Sequence, residues 1–132
     1  MEHPRLFDAD DELVARVRAR SLRLPEAVEI LTHGRPAFKT GEKGKIFALV
    51  GAMMDRTDSV VFKPDPAEDP ALRQDPRIFV PKYWGAIGWL GIDVDRAWPD
   101  DADAWTEIGE LIETSYRQVA LRRQLAVLDA VM

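Results

Sequence analysis

The chain has 132 residues and a formal net charge of -5, enough length for one domain with a core of its own and a balance that argues against a general nucleic-acid binder. It has no cysteine, which excludes disulfide staples and thiolate metal sites and fits a reducing, cytoplasmic setting. Its apolar runs are far short of a membrane span, and the acidic start MEHPRLFDADDE is unlike a signal peptide, so a soluble protein with no membrane partner is expected.

Residues 8–20, DADDELVARVRAR, begin acidic and end basic, the order a helix macrodipole favours, and Leu13, Val14 and Val17 supply an apolar stripe. A first helix is expected there. Pro25 redirects the chain, and LPEAVEIL is expected to add a short helical turn. The turn-forming GEKG separates PAFKT from KIFALVGAM, which predicts a hairpin. SVVFKP, stopped by Pro64, completes a meander of three antiparallel strands. Residues 66–75 are predicted as a short helix with Pro66 or Pro70 in its first turn. RIFVP and AIGWLGIDVD are the next strands, joined by Pro81–Gly85. Alternation puts Ile87, Trp89 and Gly91 on one face and Gly88, Leu90 and Ile92 on the other. A last helix, capped by Asp101 or Asp103, is expected over residues 104–128, where Trp105, Ile108, Ile112, Tyr116 and Val119 recur at helical spacing and Leu121, Leu125 and Leu128 continue the pattern. The sum is an α+β domain spanning 1–132, in the order α-β-β-β-α-β-β-α, with a single antiparallel five-stranded sheet and helices packed on it.

The charge is unevenly spread. Residues 93–113 carry eight acids against Arg96, whereas residues 33–45 carry Arg35, Lys39, Lys43 and Lys45 against Glu42. A dipolar surface is expected.

Candidate chemistry is sparse. His3 and His33 are not spaced as ligands. DVDRAWPDDAD starts like a calcium loop with Asp93 and Asp95, but Ala97 and Trp98 stand where a ligand and the glycine turn belong. No metal and no cofactor are expected. None of Ser21, Ser59 and Ser115 lies in a nucleophile elbow, and Ser115, inside the last helix, is expected to bond its own backbone. His33, flanked by Gly34 and Pro36, reads as a turn residue. TGEKGK lacks the phosphate-loop spacing, although its lysines project from a hairpin tip. Trp89 is expected in the core. Tyr83 and Trp84 lie in a connection beside Lys82, either as a stacking platform with a cation alongside or as a cap on the open end of the core.

The segments HGRPAFKTGEKGKIFA, VVFKPDP, FVPKYWGAIGWLGIDVD and IGELIETSYRQVA follow one another in an order and spacing that resemble the MmcQ/YjbR-like family, from about Leu24 to Ala120. The resemblance implies the same α+β order, a shape related to secretion-chaperone and frataxin-like domains, and the label of a predicted "double wing" DNA-binding domain, itself an inference from fold. The acidic cluster Asp8, Asp10, Asp11 and Glu12 resembles a frataxin edge, but the negatively charged start of a helix is the favoured account of it. The tail ALRRQLAVLDAVM is expected to extend the last helix beyond the family pattern and to offer an association surface.

The reading favoured is a non-enzymatic nucleic-acid-binding domain in which Lys39, Lys43, Lys45, Lys63 and Lys82 meet phosphates and Tyr83 and Trp84 stack on bases. The alternative is a protein- or peptide-binding adaptor that uses an exposed sheet face or the C-terminal helix. An enzyme is the least supported, because no acid–base pair can be placed.

Overall fold

A computed structural model describes residues 6–51, 55–94 and 102–131. His3, Met53, the calcium-like loop from Asp95 through Trp98 and the Asp101 cap lie outside the described residues.

Helix α1 (Glu12–Ser21) starts where Asp11 accepts a hydrogen bond from the Val14 amide, 3.1 Å away, with Glu12 in the first turn and Arg18 and Arg20 in the last. Both ends agree with the helix dipole. The segment expected to add a helical turn is instead strand β1 (Val28–Thr32), paired antiparallel with β2 (Arg35–Lys39). The helix-forming Leu, Glu and Ala of LPEAVEIL are overruled because Glu26 takes a positive φ of 61°, which a helix cannot continue, and a neighbouring strand rewards the Val28–Ile30–Thr32 alternation. His33 and Gly34, with φ of 52° and 82°, form the two-residue turn between these strands.

Strands β3 (Ile46–Val50) and β4 (Ser59–Phe62) complete a four-strand meander. Helix α2 is one short turn (Asp69–Leu72), shorter than expected because prolines crowd the segment. β5 (Ile78–Phe79) lies at the far edge, and β6 (Leu90–Asp93) returns between β4 and β5. Among the described residues the sheet therefore has six antiparallel strands, not five, in the order β1-β2-β3-β4-β6-β5. Strand β6 is shorter than expected. Trp84–Ile87 form a 3-10 turn, Ile87 is exposed, and Gly88 sits at φ 90°, where only glycine is comfortable.

The expected continuous last helix is broken in two, α3 (Ala102–Val119) and α4 (Arg122–Ala130). Leu121 is extended. The buried Gln124 side chain holds the break, accepting from the Leu121 amide at 2.9 Å and donating to the Thr40 carbonyl at 2.7 Å. A carbonyl on the β2–β3 connection thus decides where the helix stops.

Helices α1, α3 and α4 share one face of the sheet. Phe38, Phe47, Ala48, Val60, Phe62, Leu90 and Ile92 point into that layer against Val14, Val17, Ile108, Ile112 and Tyr116. The ring of Tyr116 meets Phe47 edge-on at 5.3 Å, and its hydroxyl donates to the Pro25 carbonyl. The register slips between Phe38 and Lys39, so that Phe47 and Ala48 both face the helices.

Ser115 does not bond its own helix. Its buried hydroxyl donates to the Phe47 carbonyl at 2.6 Å and accepts from the Lys63 amide at 2.8 Å. Ala48 is opposite Phe62, so Phe47 and Lys63 are the next rung of the β3–β4 ladder, and the hydroxyl bridges them. Ser115→Ala removes one oxygen and leaves a buried donor and acceptor unsatisfied. It is expected to cost about 1–3 kcal/mol in urea unfolding, more than its size suggests.

Candidate functional site

The helices cover one face of the sheet, and the other carries the candidate site. Its middle row, fixed by the pairing registers, is Ile30, Ala37, Leu49, Val61 and Gly91. Ala37, Leu49 and Val61 are buried with Trp89 in a second, smaller cluster, against which Ile30, Ile46 and Trp84 pack. The main core lies on the far side of the same strands.

Short-range features at the β6 end build the cover of this cluster. Trp89, 5% exposed, is core as expected, although it lies just before the strand rather than within it. Trp84 stands 4.8 Å from it, centroid to centroid, at a tilt of 51°. Phe79 pairs with Gly91 in register, and its ring lies over the glycine so closely that a Cβ there would come within 2.3 Å of it. Gly91 is therefore the strand position where a neighbouring ring needs the space of a side chain. The Arg56 guanidinium sits 4.4 Å above the same ring and bonds Asp93 at 2.6 Å. The sequence reading missed Phe79 and Arg56. A glycine amid the large apolar residues of β6 was the available signal.

The expected platform divides. Trp84 is half-buried and caps the small cluster, whereas Tyr83 is 89% exposed and has a positive φ of 64°. That conformation is strained for an aromatic residue and holds the ring away from the body of the protein.

The lysines divide as well. Lys39 closes β2 on the helix-free face, in register with Val28 and Ile46, and its ammonium donates to the Glu42 carbonyl at 2.9 Å. Lys63 follows Phe62, whose ring faces the helices. The residue before Pro64 is held extended, so alternation directs Lys63 to the helix-free face, one position beyond the Phe62–Leu90 pair that ends the β4–β6 register. Lys82 is exposed beside Tyr83. Lys43 and Lys45 belong elsewhere. With Glu26, Leu121, Arg123 and Gln124 they line a cleft of about 290 Å³ on the helix side. There Arg123 bonds Glu26 and holds its carboxyl below the usual range.

The acids of α3, among them Asp103, Glu107, Glu110 and Glu113, lie with the helix layer. Glu107 and Asp75 share Arg77, and the Arg77 hydrogen bond holds the Asp75 carboxyl below its usual range. Among the described residues, no group of three or more His, Cys, Asp and Glu could hold a metal ion. No helix among them is long and apolar enough to cross a membrane.

A sequence model of the YjbR family matches residues 22–118. The crystal structure of Deinococcus radiodurans protein DR2400, which carries the domain of unknown function DUF419, superposes with a TM-score of 0.61 at 24% identity, covering 78% of this chain and 75% of that one. At that identity the likeness speaks for fold. No curated protein matches.

Trp89→Ala is expected to lose about 3–5 kcal/mol of unfolding free energy. Gly91→Ala, which drives Phe79 off the sheet, should lose about 1–3 kcal/mol. Tyr83→Ala should stay within about 0.5 kcal/mol of the parent. Urea unfolding followed by tryptophan fluorescence separates the three.

Proposed function

The chain belongs to the YjbR family, and we propose that it is a non-enzymatic, cytoplasmic binding domain whose helix-free sheet face takes single-stranded nucleic acid. The observation that carries this reading is the company Lys63 keeps. Strand alternation past Phe62 directs it to the helix-free face, whose β6 end holds Trp89 and Trp84, with Lys39 two strands away and Lys82 and Tyr83 on the adjoining loop. Backbone phosphates need cations at a spacing set by the strand. Unpaired bases need an aromatic surface that tolerates any sequence. Tyr83 offers the ring, and Lys39, Lys63 and Lys82 offer the charge. The net charge of -5 is not an obstacle, since the acids of α3 lie with the opposite layer. The interface proposed here uses Lys39, Lys63, Lys82, Tyr83 and the rim of Trp84, and leaves out Lys43 and Lys45.

A protein-binding role is the second reading. The apolar middle row of the same face and the exposed Leu121, Val127 and Val131 of the C-terminal segment favour it. Salt separates the two, because phosphate contacts weaken steeply with ionic strength and apolar docking does not.

Fluorescence anisotropy with short single-stranded DNA at low salt tests the proposal. Engaging about three phosphates gives a log–log salt slope of about -2 for single strands. Lys82→Glu is expected to weaken binding to all sequences alike, Tyr83→Ala to cost about 1–3 kcal/mol, and Lys43→Glu to leave binding unchanged. Absence of binding at high micromolar protein, or an unaltered affinity in Lys82→Glu, would overturn the nucleic-acid reading in favour of the protein-binding one.

A further inference from the structure

The two edges of the sheet are built differently. β5 is two residues long and is followed closely by Pro81, so it offers little to pair with. β1 is five residues long, VEILT, with no proline, lysine or bulge, and among the described residues it is paired only with β2. Natural edge strands are usually blunted by such devices. The one charge on β1, Glu29, is held by Arg18 through two hydrogen bonds of 2.6 and 3.0 Å.

The turn decides which groups of β1 are available. A two-residue hairpin turn makes its flanking residues, Thr32 and Arg35, a hydrogen-bonded pair, and alternation extends this to Ile30 with Ala37 and Val28 with Lys39. The main chains of Glu29 and Leu31 therefore aim their N–H and C=O groups away from the sheet. Their side chains point to the helix face, as the Arg18–Glu29 contact shows. Leu31 is 51% exposed there, beside a cleft of about 250 Å³ lined by Phe7, Ala9, Arg18 and Glu29.

We propose that β1 pairs with the β1 of a second copy of this chain, antiparallel and about a two-fold axis through Ile30. In that register Glu29 of each copy is opposite Leu31 of the other. All the outward main-chain groups of Glu29 and Leu31 then find partners. The opposing Leu31 side chain lies over the cleft walled by Phe7 and Ala9, and it meets a Glu29 whose charge Arg18 has already taken up. On the other face the two Ile30 side chains adjoin, so the apolar row through Ala37, Leu49 and Val61 runs on into the second copy. Neighbouring registers are worse. An axis through Glu29 sets two carboxylates against each other, and an axis through Leu31 pushes Glu29 against the His33 turn. The strand is short and the interface small, which places the dissociation constant in the micromolar range rather than below it. This pairing stands whether or not the opposite end of the sheet binds nucleic acid.

Sedimentation equilibrium over about 1 to 500 micromolar protein and a single-cysteine cross-link test the proposal together. The parent is expected to dimerise within that range, and Leu31→Lys, at an exposed position, to weaken the dimer at least about tenfold while folding normally. Residues opposite each other in a non-hydrogen-bonded pair have Cα atoms about 4.5 Å apart, within disulfide reach. The chain has no other cysteine, so Ile30→Cys should give a covalent dimer under mild oxidation, whereas Thr32→Cys, which lies on the same face but away from the axis, should not. A parent that stays monomeric throughout, a dimer indifferent to Leu31→Lys, or cross-linking of Thr32→Cys as complete as that of Ile30→Cys would overturn it.

Discussion

The hydroxyl of Ser115 occupies the place of a rung in the β3–β4 ladder, and the rest of the architecture depends on that insertion. A helix packed on a sheet through apolar contacts alone can slide, because dispersion and burial are not directional. The Ser115 hydroxyl bridges the Phe47 carbonyl and the Lys63 amide, and so gives α3 one position over the strands. The slipped register beside it turns Phe47 toward the helices, where Tyr116 meets its ring. Tyr116 in turn ties the Pro25 carbonyl, so the approach to β1 is set from the same stretch of helix.

With the helix layer fixed on one face, the other is left to local devices. The cluster of Ala37, Leu49, Val61 and Trp89 is too small to need a helix over it. Trp84, brought back by the 3-10 turn and Gly88, and Phe79, laid across Gly91, cover the β6 end. The same turn that places Trp84 inward forces Tyr83 outward at positive φ, so the cover and the exposed ring are parts of one backbone decision. Lys63 connects the two faces. Its amide is held by the helix, and strand alternation directs its side chain to the side away from it.

Gln124 performs for α4 what Ser115 performs for α3. A buried amide that bonds both the Leu121 amide and the Thr40 carbonyl ends one helix, starts the next and joins them to the β2–β3 connection. Lys43 and Lys45 are drawn to the helix side by the same arrangement, away from Lys39 on the adjoining strand.

Much of the fold was legible in the sequence. The dipole order of α1, the spacing of Trp105, Ile108, Ile112 and Tyr116, the apolar and β-branched runs of β3 and β4, the alternation in β6, and the burial of Trp89 are local patterns that one element carries alone. The quoted segments carried the family as well, and it spans residues 22–118. What the sequence could not decide were choices made by a partner distant in the chain. β1 is a strand because β2 pairs with it across the His33–Gly34 turn, although the segment LPEAVEIL that enters it carries the helix formers Leu24, Glu26 and Ala27. The last helix breaks because Thr40, more than eighty residues away, needs a donor. Ser115 looks like a serine bonding its own turn until β3 and β4 are beneath it. The lysines formed one set along the chain, and only the tertiary structure set Lys39, on the β2 register, apart from Lys43 and Lys45, which line a cleft with Arg123 and Gln124. A period in the sequence says which side of an element is buried. Hydrogen-bond partners across the fold say which element it is and what it faces.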